Sequence, residues 1–517
     1  MGFFFTTQAK KAPKPNGRIA PKNKQNIGTL HRLGCKACPL DQGRCASPKM
    51  EPVLSKYDNQ IYFIGESPNE EDDDINKPLS GEIGDLIRDE LLDGESYYSF
   101  DNVVNCYTGH NPTWNEVACC HPRKVKAIEG VKPKLIVGLG FTPLQWLLNT
   151  SDLEGMRGRV FAVKIGQHEC WFLPTYHPKW IADRAYDKAK PLQNKYGHCF
   201  RMDLKKAHRL LETLPRAKID TETEARAGVQ AFNGHGPGQL DAVLKLIQRA
   251  RQARQKAIDL ETSRLRPYGP NALILTAAVS FDTVNFSFAV DHPKAGWNKK
   301  QREILLAAFK ELLIDGTTKI AHNTPFELEW LLYYYGESIL NHETWECTMM
   351  QAHVLDERKG KSAQGDSEDN ESERKATYQK LDFLCKQHFG IAYKGFFKLN
   401  KKDMAKADLD ETLVYNGVDT KYTLRLFHHQ TQALKDEGTY KAYVDAKPRQ
   451  VSVANMQRIG VWVNQKAVAG FQAKYKAEIK QIQDEIKNLK VIQAFEREKG
   501  EYNPLSGDNL LTIMRDY

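Results

Sequence analysis

Short apolar runs, each followed by a stretch with helical spacing, recur along the amino-terminal part of the chain. Ile61–Ile64 and Leu135–Leu139 read as buried strands, with two more around Val103–Val104 and Trp171–Leu173. Ile83–Leu92 and Pro143–Leu148 read as the helices between them. Hydrophobic strands alternating with helices predict an α/β domain over residues 27–214, with a parallel-rich sheet covered on both faces. Residues 215–245 read as a linker with some helix, after which the pattern restarts. A basic helix, Leu240–Gln255, runs into a strand at Ala257–Leu260. Strand-like Ala272–Ser280 and Thr283–Val290 follow, then helix Gln301–Leu313, strand Lys319–Ala321 and a helix from Pro325 to Tyr335. Helices Tyr378–His388 and Asp408–Leu434 complete a second α/β domain over residues 246–436.

Residues 356–377 are almost wholly polar and read as a disordered insertion, because they bury too little to offset the entropy of ordering. The stretch 437–517 reads as helical, with a long charged helix at Lys466–Lys490. No full core follows Val451, so this tail is expected either to pack on the preceding domain or to belong to a larger body.

Charge adds one feature. Of the 517 residues, none before Asp41 is acidic, while Lys10, Lys11, Lys14, Arg18, Lys22, Lys24 and Arg32 are basic, within a net charge of +9. Residues 1–26 therefore read as a disordered basic arm, either touching phosphate or serving as a solubilising tail. No apolar run is long enough for a membrane span. The start has three Phe before its basic residues, the reverse of a secretory signal, so a cytoplasmic location is expected. Ten cysteines without such a signal point to metal ligands or buried thiols rather than disulfides.

Ile258-Asp259-Leu260-Glu261-Thr262 is an apolar strand with two acids two residues apart, which alternation places on one face. Paired like charges cost stability unless a cation neutralises them, and oxygen ligands suit Mg²⁺ or Mn²⁺. Glu327 lies in the first turns of the helix after Lys319–Ala321, and Tyr415 and Asp419 lie four apart on a helix. Two ions roughly 3.5–4 Å apart activate water and stabilise a leaving oxyanion in phosphodiester hydrolysis. In that chemistry Asp259 bridges the ions, Glu261 and Asp419 hold the one activating water, Glu327 holds the other, and Tyr415 orients the water. Leu260 and Phe326 are candidates for wedging terminal bases apart. Glu329, Asp408 and Asp410 read as surface charge.

These three segments resemble the three exonuclease motifs in the proofreading domain of polymerase I-type (family A) DNA polymerases. Asp259 and Glu261 match Asp-x-Glu, and Tyr415 and Asp419 match Tyr-x-x-x-Asp. The second motif, Asn-x-x-Phe/Tyr-Asp, is met by Asn323, Phe326 and Glu327, with an acid one methylene longer. The resemblance implies a ribonuclease H-like mixed sheet, two Mg²⁺ or Mn²⁺, and 3′→5′ hydrolysis at a single-stranded DNA 3′ end or primer terminus. Asn455–Val461 and Asn503–Ser506 resemble the start of the polymerase thumb. Palm and fingers are not among these residues, so any polymerase body is expected on a missing continuation or a separate chain.

Cys35 and Cys38 have CxxC spacing, and Cys106 and Cys120 follow, a set suited to zinc or a [4Fe–4S] cluster. Cys45, Cys119, Cys170 and Cys199 read as ordinary thiols. The surrounding segments resemble family 4 uracil-DNA glycosylases in order: Gly65-Glu66-Ser67-Pro68-Asn69, Pro78-Leu79-Ser80-Gly81, Asn102-Val103-Val104-Asn105-Cys106, Gly138-Leu139-Gly140 and Tyr176-His177-Pro178. The resemblance implies that the four cysteines hold an iron–sulfur cluster and that Glu66 orients or activates water. It further implies that Asn102 reads the uracil edge and His177 stabilises the leaving base. Leu79 stands where the family stacks a Phe on the flipped base, and Asn69 stands where it has Gly. The expectation is a glycosylase-like domain that binds DNA without turnover, with active uracil excision as the alternative. Fusions of this kind are a pattern of large bacteriophages, which implies a viral source and an infected bacterial host cell. Two other readings stay open: a DNA-binding scaffold with vestigial sites, and a nuclease acting on single-stranded RNA.

Overall fold

The computed structural model describes residues 24–40, 46–57, 61–91, 97–187, 190–341, 343–358, 377–400 and 403–517. Most of the basic arm, Cys45, and residues 359–376 of the expected insertion lie outside these. The chain forms two compact units, Met1–Ala454 and Asn455–Tyr517.

The first unit holds two sheets. The amino-terminal one has the order β2-β1-β3-β5-β4, from β1 (Ile61–Gly65), β2 (Tyr98–Asn102), β3 (Leu135–Leu139), β4 (Phe161–Ile165) and β5 (His168–Thr175). All neighbours are parallel except β4, which runs against β5. Strands β1, β2 and β3 are buried at every position, as a sheet covered on both faces requires. Val103 and Val104 lie just past β2 rather than within it, and their N–H groups donate to Gly65 O and Glu66 O at 3.0 and 3.1 Å. The helix Trp114–Val131 is too polar along its length to stand out as a core element, and it carries Cys119 and Cys120.

The second sheet has the order β11-β10-β7-β8-β9-β6. It comprises β6 (Val229–Phe232), β7 (Gln255–Thr262), β8 (Ile274–Phe281), β9 (Val284–Ala289), β10 (Thr318–Ala321) and β11 (Trp345–Cys347). β7, β8 and β9 are antiparallel, whereas β6 pairs parallel with β9 and β10 with β7 and β11. The segment expected to be a linker therefore supplies an edge strand of this sheet. Its four residues are half exposed, which hides it from a search for apolar runs. The helix Leu409–Asp436 packs on one face of the sheet, and Gln239–Gln252 and Lys299–Leu313 join the core on the other.

The flanks of the expected insertion are ordered and join the two domains of the first unit. Arg159 Nη2 lies 3.1 Å from Asp356 Oδ2 and its guanidinium sits over the Tyr378 ring. Arg358 donates to Arg157 O at 2.8 Å, and Tyr378 donates to Asp152. In the second unit, Lys490–Lys499 and Gly507–Asp516 share a small core of Ile492, Phe495 and Ile513. The helix Gln465–Lys487 buries none of its residues.

One buried charge pair organises the amino-terminal sheet. Asp101 and Lys124, both almost wholly inaccessible, form an ion pair. Asp101 also accepts from Tyr62 (2.6 Å), the Asn102 N–H (2.8 Å) and Asn105 Nδ2 (3.0 Å). Removing one member strands the other charge. Lys124→Ala is expected to cost about 3–5 kcal/mol of domain stability, read by urea denaturation. A change under about 1 kcal/mol would show the pair to be dispensable.

Candidate active sites

In β7, alternation sends Ala257, Asp259 and Glu261 toward the helix Leu409–Asp436, while Ile258 and Leu260 enter the opposite core. Leu260 is only 3% exposed there and cannot wedge bases apart. Phe326 is half-buried. The helix is fixed in register by buried polar contacts to the sheet. Thr276 Oγ1 donates to Asn416 Oδ1 (3.0 Å), Ser280 pairs with Thr420 (2.8 Å), and Ser287 donates to Leu413 O (2.7 Å). Asn416 in turn donates to Asp259 Oδ2 at 2.6 Å. This register sets Asp419 opposite β7.

The result is a group of acids. Ligand oxygens of Asp259, Glu261 and Asp419 lie within 4.8 Å of one another, the one such group among the described residues. Burial, then Asp419 and Glu261, push the Asp259 carboxyl well above the usual range. Burial and Asp259 do the same to Glu327. Glu327 follows a tight strand-to-helix turn in which Asn323 is left-handed (φ 77°), and its Oε2 is buried without a hydrogen-bond partner. The donor set suits a hard divalent cation: several carboxylate oxygens, one of them orphaned, with repulsion that positive charge relieves.

Three neighbours of this site escaped the sequence reading: Asn416, Tyr393 and Lys394. Both Asp419 oxygens accept bonds, Oδ1 from Tyr393 OH and Oδ2 from Lys394 Nζ at 2.9 Å. Burial opposes the Lys394 charge, but Asp419 and Tyr415 outweigh it and raise its pKa. Tyr415 is buried, its phenol pushed upward by burial and Asp419. Only Asn416 had a signal available, its place inside the Tyr415–Asp419 motif. Of the acids expected to be surface charge, Asp408 caps the helix and Asp410 accepts from Asn233, both exposed. Glu329 is different, being 1% exposed and paired with Arg266. It faces the core side of its helix, where only an ion pair makes a carboxylate tolerable.

In the other domain, the carboxyl ends of β1, β2, β3 and β5 deliver the remaining motifs to one edge, the usual ligand edge of a parallel sheet. Gly65 pairs with Asn102 in register, and a Cβ on Gly65 would fall 2.3 Å from Asn102 Oδ1 and 2.9 Å from Leu79 Cδ2. Asn102 is wholly buried, yet neither its Oδ1 nor its Nδ2 has a partner. Leu79 is buried in the left-handed region (φ 51°), a conformation costly for a leucine. Ser80 holds the loop by donating to Asp72 Oδ1 from N (2.6 Å) and Oγ (2.8 Å). Asn69 does not crowd the site: its φ is −85° and its side chain caps the helix Glu70–Ile75. Glu66 Oε1 accepts from the N–H groups of Phe141 (2.7 Å) and Thr142 (3.2 Å) at the start of the helix Phe141–Leu148. His177 caps the helix Pro178–Asp183, and its pKa is lowered by burial against the opposing pull of Glu66 and Asp72.

Cys35 and Cys38 lie in and beside the turn Gly34–Ala37, Cys106 follows β2, and Cys120 lies on Trp114–Val131. Burial, with neighbouring sulfurs adding to it, raises two of the thiols: Cys38, near Cys106 and Cys35, and Cys120, pushed up to about 12 near Cys106 and Cys38. Cys119 also reaches Cys38 and is raised to about 11. No three of these sulfurs close within 4.8 Å of one another. Cys170 is buried within β5 and Cys199 is half-buried on the helix Lys195–Thr213.

Comparison with known proteins finds a match in each domain. Residues 235–435 match the 3′-5′ exonuclease family, and residues 52–196 match the uracil DNA glycosylase superfamily. The type-4 uracil-DNA glycosylase of Sulfurisphaera tokodaii is 31% identical over 157 residues, 28% of this chain and 70% of that protein. That of Thermotoga maritima is 32% identical over 158 residues, 28% of this chain and 77% of that protein. Escherichia coli RNase D, an exoribonuclease involved in structured RNA processing, superposes with a TM-score of 0.31 at 16% identity. That overlap takes in 45% of this chain and 51% of RNase D, too partial to bear on substrate. The chain is thus a fusion of a metal-dependent 3′–5′ exonuclease domain with a uracil-DNA glycosylase-fold domain. Through the latter it belongs to the type-4 uracil-DNA glycosylase family. No helix among the described residues is long and apolar enough to cross a membrane.

Clustered like charge makes a prediction for the metal-free protein. Asp259→Asn removes one repelling carboxylate and is expected to raise the melting temperature in EDTA by a few degrees, about 1–2 kcal/mol. A lower melting temperature would mean that these acids do not strain the fold.

Proposed function

We propose that this chain proofreads DNA, removing nucleotides from single-stranded 3′ ends, while its amino-terminal domain holds a DNA base. The observation that carries the first part is the close group of half-buried Asp259 and Glu261 with buried Asp419, and buried Glu327 beside it. Asp259, Glu261, Glu327 and Asp419 would hold two Mg²⁺ or Mn²⁺, whose chemistry is to make water nucleophilic and to neutralise the leaving oxyanion. Tyr415 would orient the attacking water and Asn416 would fix the angle of the Asp259 carboxylate. The setting we infer is a family A polymerase of the bacteriophage type, in which the helical residues 437–517 begin the thumb. Asn455–Val461 and Asn503–Ser506 are the support for that setting.

In the other domain Cys35, Cys38, Cys106 and Cys120 would hold a [4Fe–4S] cluster as a structural tie between the amino-terminal turn and the segment after β2. Zinc is the alternative occupant of the same four thiols.

Mg²⁺-dependent shortening is expected from a recessed 3′ end and not from a recessed 5′ end, with Asp259→Ala at least about a thousandfold slower. Undiminished cutting by Asp259→Ala, or loss from the 5′ end, would refute the assignment. Equal digestion of an RNA strand of the same sequence would remove the preference for deoxyribose.

A second reading, uracil excision, is favoured by the unpaired, wholly buried amide of Asn102, whose acceptor and donor complement the edge of uracil. Against it stands Leu79, which lends area but no ring face. Excision predicts release of free uracil from a single-stranded oligonucleotide, reduced about a hundredfold or more in Asn102→Ala. Binding of that oligonucleotide without release would leave the domain as a base-holding module.

A further inference from the structure

Lys394 lies on the short turn Tyr393–Phe396, which no motif marks. The turn is fixed by Tyr393, whose ring stacks on Tyr422 at 4.9 Å and whose hydroxyl donates to Asp419 Oδ1. From there the Lys394 ammonium reaches Asp419 Oδ2 at 2.9 Å and lies 5.3 Å from the centre of the Tyr415 ring. Its side chain is about a quarter exposed, so it has room to move. One ammonium thus contacts the two residues that the exonuclease reading assigns to the ion and the water.

We propose that Lys394 is a resident counter-ion that competes with a divalent cation for Asp419, so that full metal occupancy waits for the DNA 3′ end. An ammonium and a divalent ion cannot both lie against one carboxylate oxygen without strong repulsion at that range. For the ion to bind there, Lys394 must leave Asp419. The phosphate next to the strand terminus offers the displaced ammonium a new partner and adds negative charge to the pocket. Metal and DNA then favour each other's binding, and the coupling is reciprocal. The consequence is a nuclease whose cation site is incompletely charged until a strand end is present.

The inference rests on the exonuclease reading, so its test measures Mn²⁺ binding directly by electron paramagnetic resonance on the full chain. A single-stranded oligonucleotide with phosphorothioate linkages at its 3′ end serves as the strand. Without DNA, Lys394→Met is expected to bind Mn²⁺ about tenfold more tightly than the unchanged chain, while Lys394→Arg binds as the unchanged chain does. Adding the oligonucleotide should tighten Mn²⁺ binding more in the unchanged chain than in Lys394→Met. Equal or weaker Mn²⁺ binding by Lys394→Met overturns the proposal. If that variant fails to melt cooperatively, the unchanged chain decides: DNA must raise its Mn²⁺ affinity, and no rise overturns the proposal. Asp259→Asn separates the two ideas. Should it leave Mn²⁺ binding intact, the exonuclease assignment itself falls. Should it abolish binding while Lys394→Met changes nothing, only the counter-ion role is lost.

Discussion

Carboxylate oxygens of Asp259, Glu261 and Asp419 are held within 4.8 Å of one another, with Glu327 buried alongside, and that repulsion must be overcome by the rest of the domain. The opposing force is distributed. Apolar burial on the far face of β7 anchors Ile258 and Leu260, so the strand cannot rotate its acids into solvent without exposing them. On the near face, Thr276, Ser280 and Ser287 hydrogen-bond to the helix Leu409–Asp436. Sliding that helix would leave several buried polar groups unpaired, each costing about 1–3 kcal/mol. The acids stay together because every route apart breaks something more expensive.

The glycosylase-fold domain shows the complementary design, a polar group left without a partner. Asp101, paired with Lys124, accepts from the Asn102 N–H and from Asn105 Nδ2, while Asn102's own amide stays free. Gly65 keeps that amide clear, and Leu79 is held beside it in a strained conformation through Ser80 and Asp72. An unpaired buried amide is costly, and its persistence beside a strained residue marks a place shaped for something other than stability.

The two domains are not beads on a string. Arg159 meets Asp356 and Tyr378, on either side of residues 359–376, and Trp171 donates to Pro215 O at 2.8 Å where the chain leaves the first domain. A long polar segment thus departs from and returns to the seam between the domains.

Alternation along β7, the four-residue spacing of Tyr415 and Asp419, and the uninterrupted apolar runs of β1 and β3 follow from local backbone geometry. They were legible in the chain without any knowledge of its folding. So were the two domains, from the restart of the strand-and-helix pattern, and the acids of the candidate site, because each lies in a short motif contained within a single element. The parts decided only by tertiary structure depend on residues that meet across the fold. Lys394 and Tyr393 reach Asp419 from a turn with no pattern of its own, and half-exposed Val229–Phe232 becomes a strand only because β9 offers it an edge. Asn69 turns out to be a helix cap and Glu329 a buried ion-pair partner for the same reason. Periodicity reveals which way a side chain points along its own element, whereas its electrostatic surroundings are set by whatever the rest of the chain packs against it.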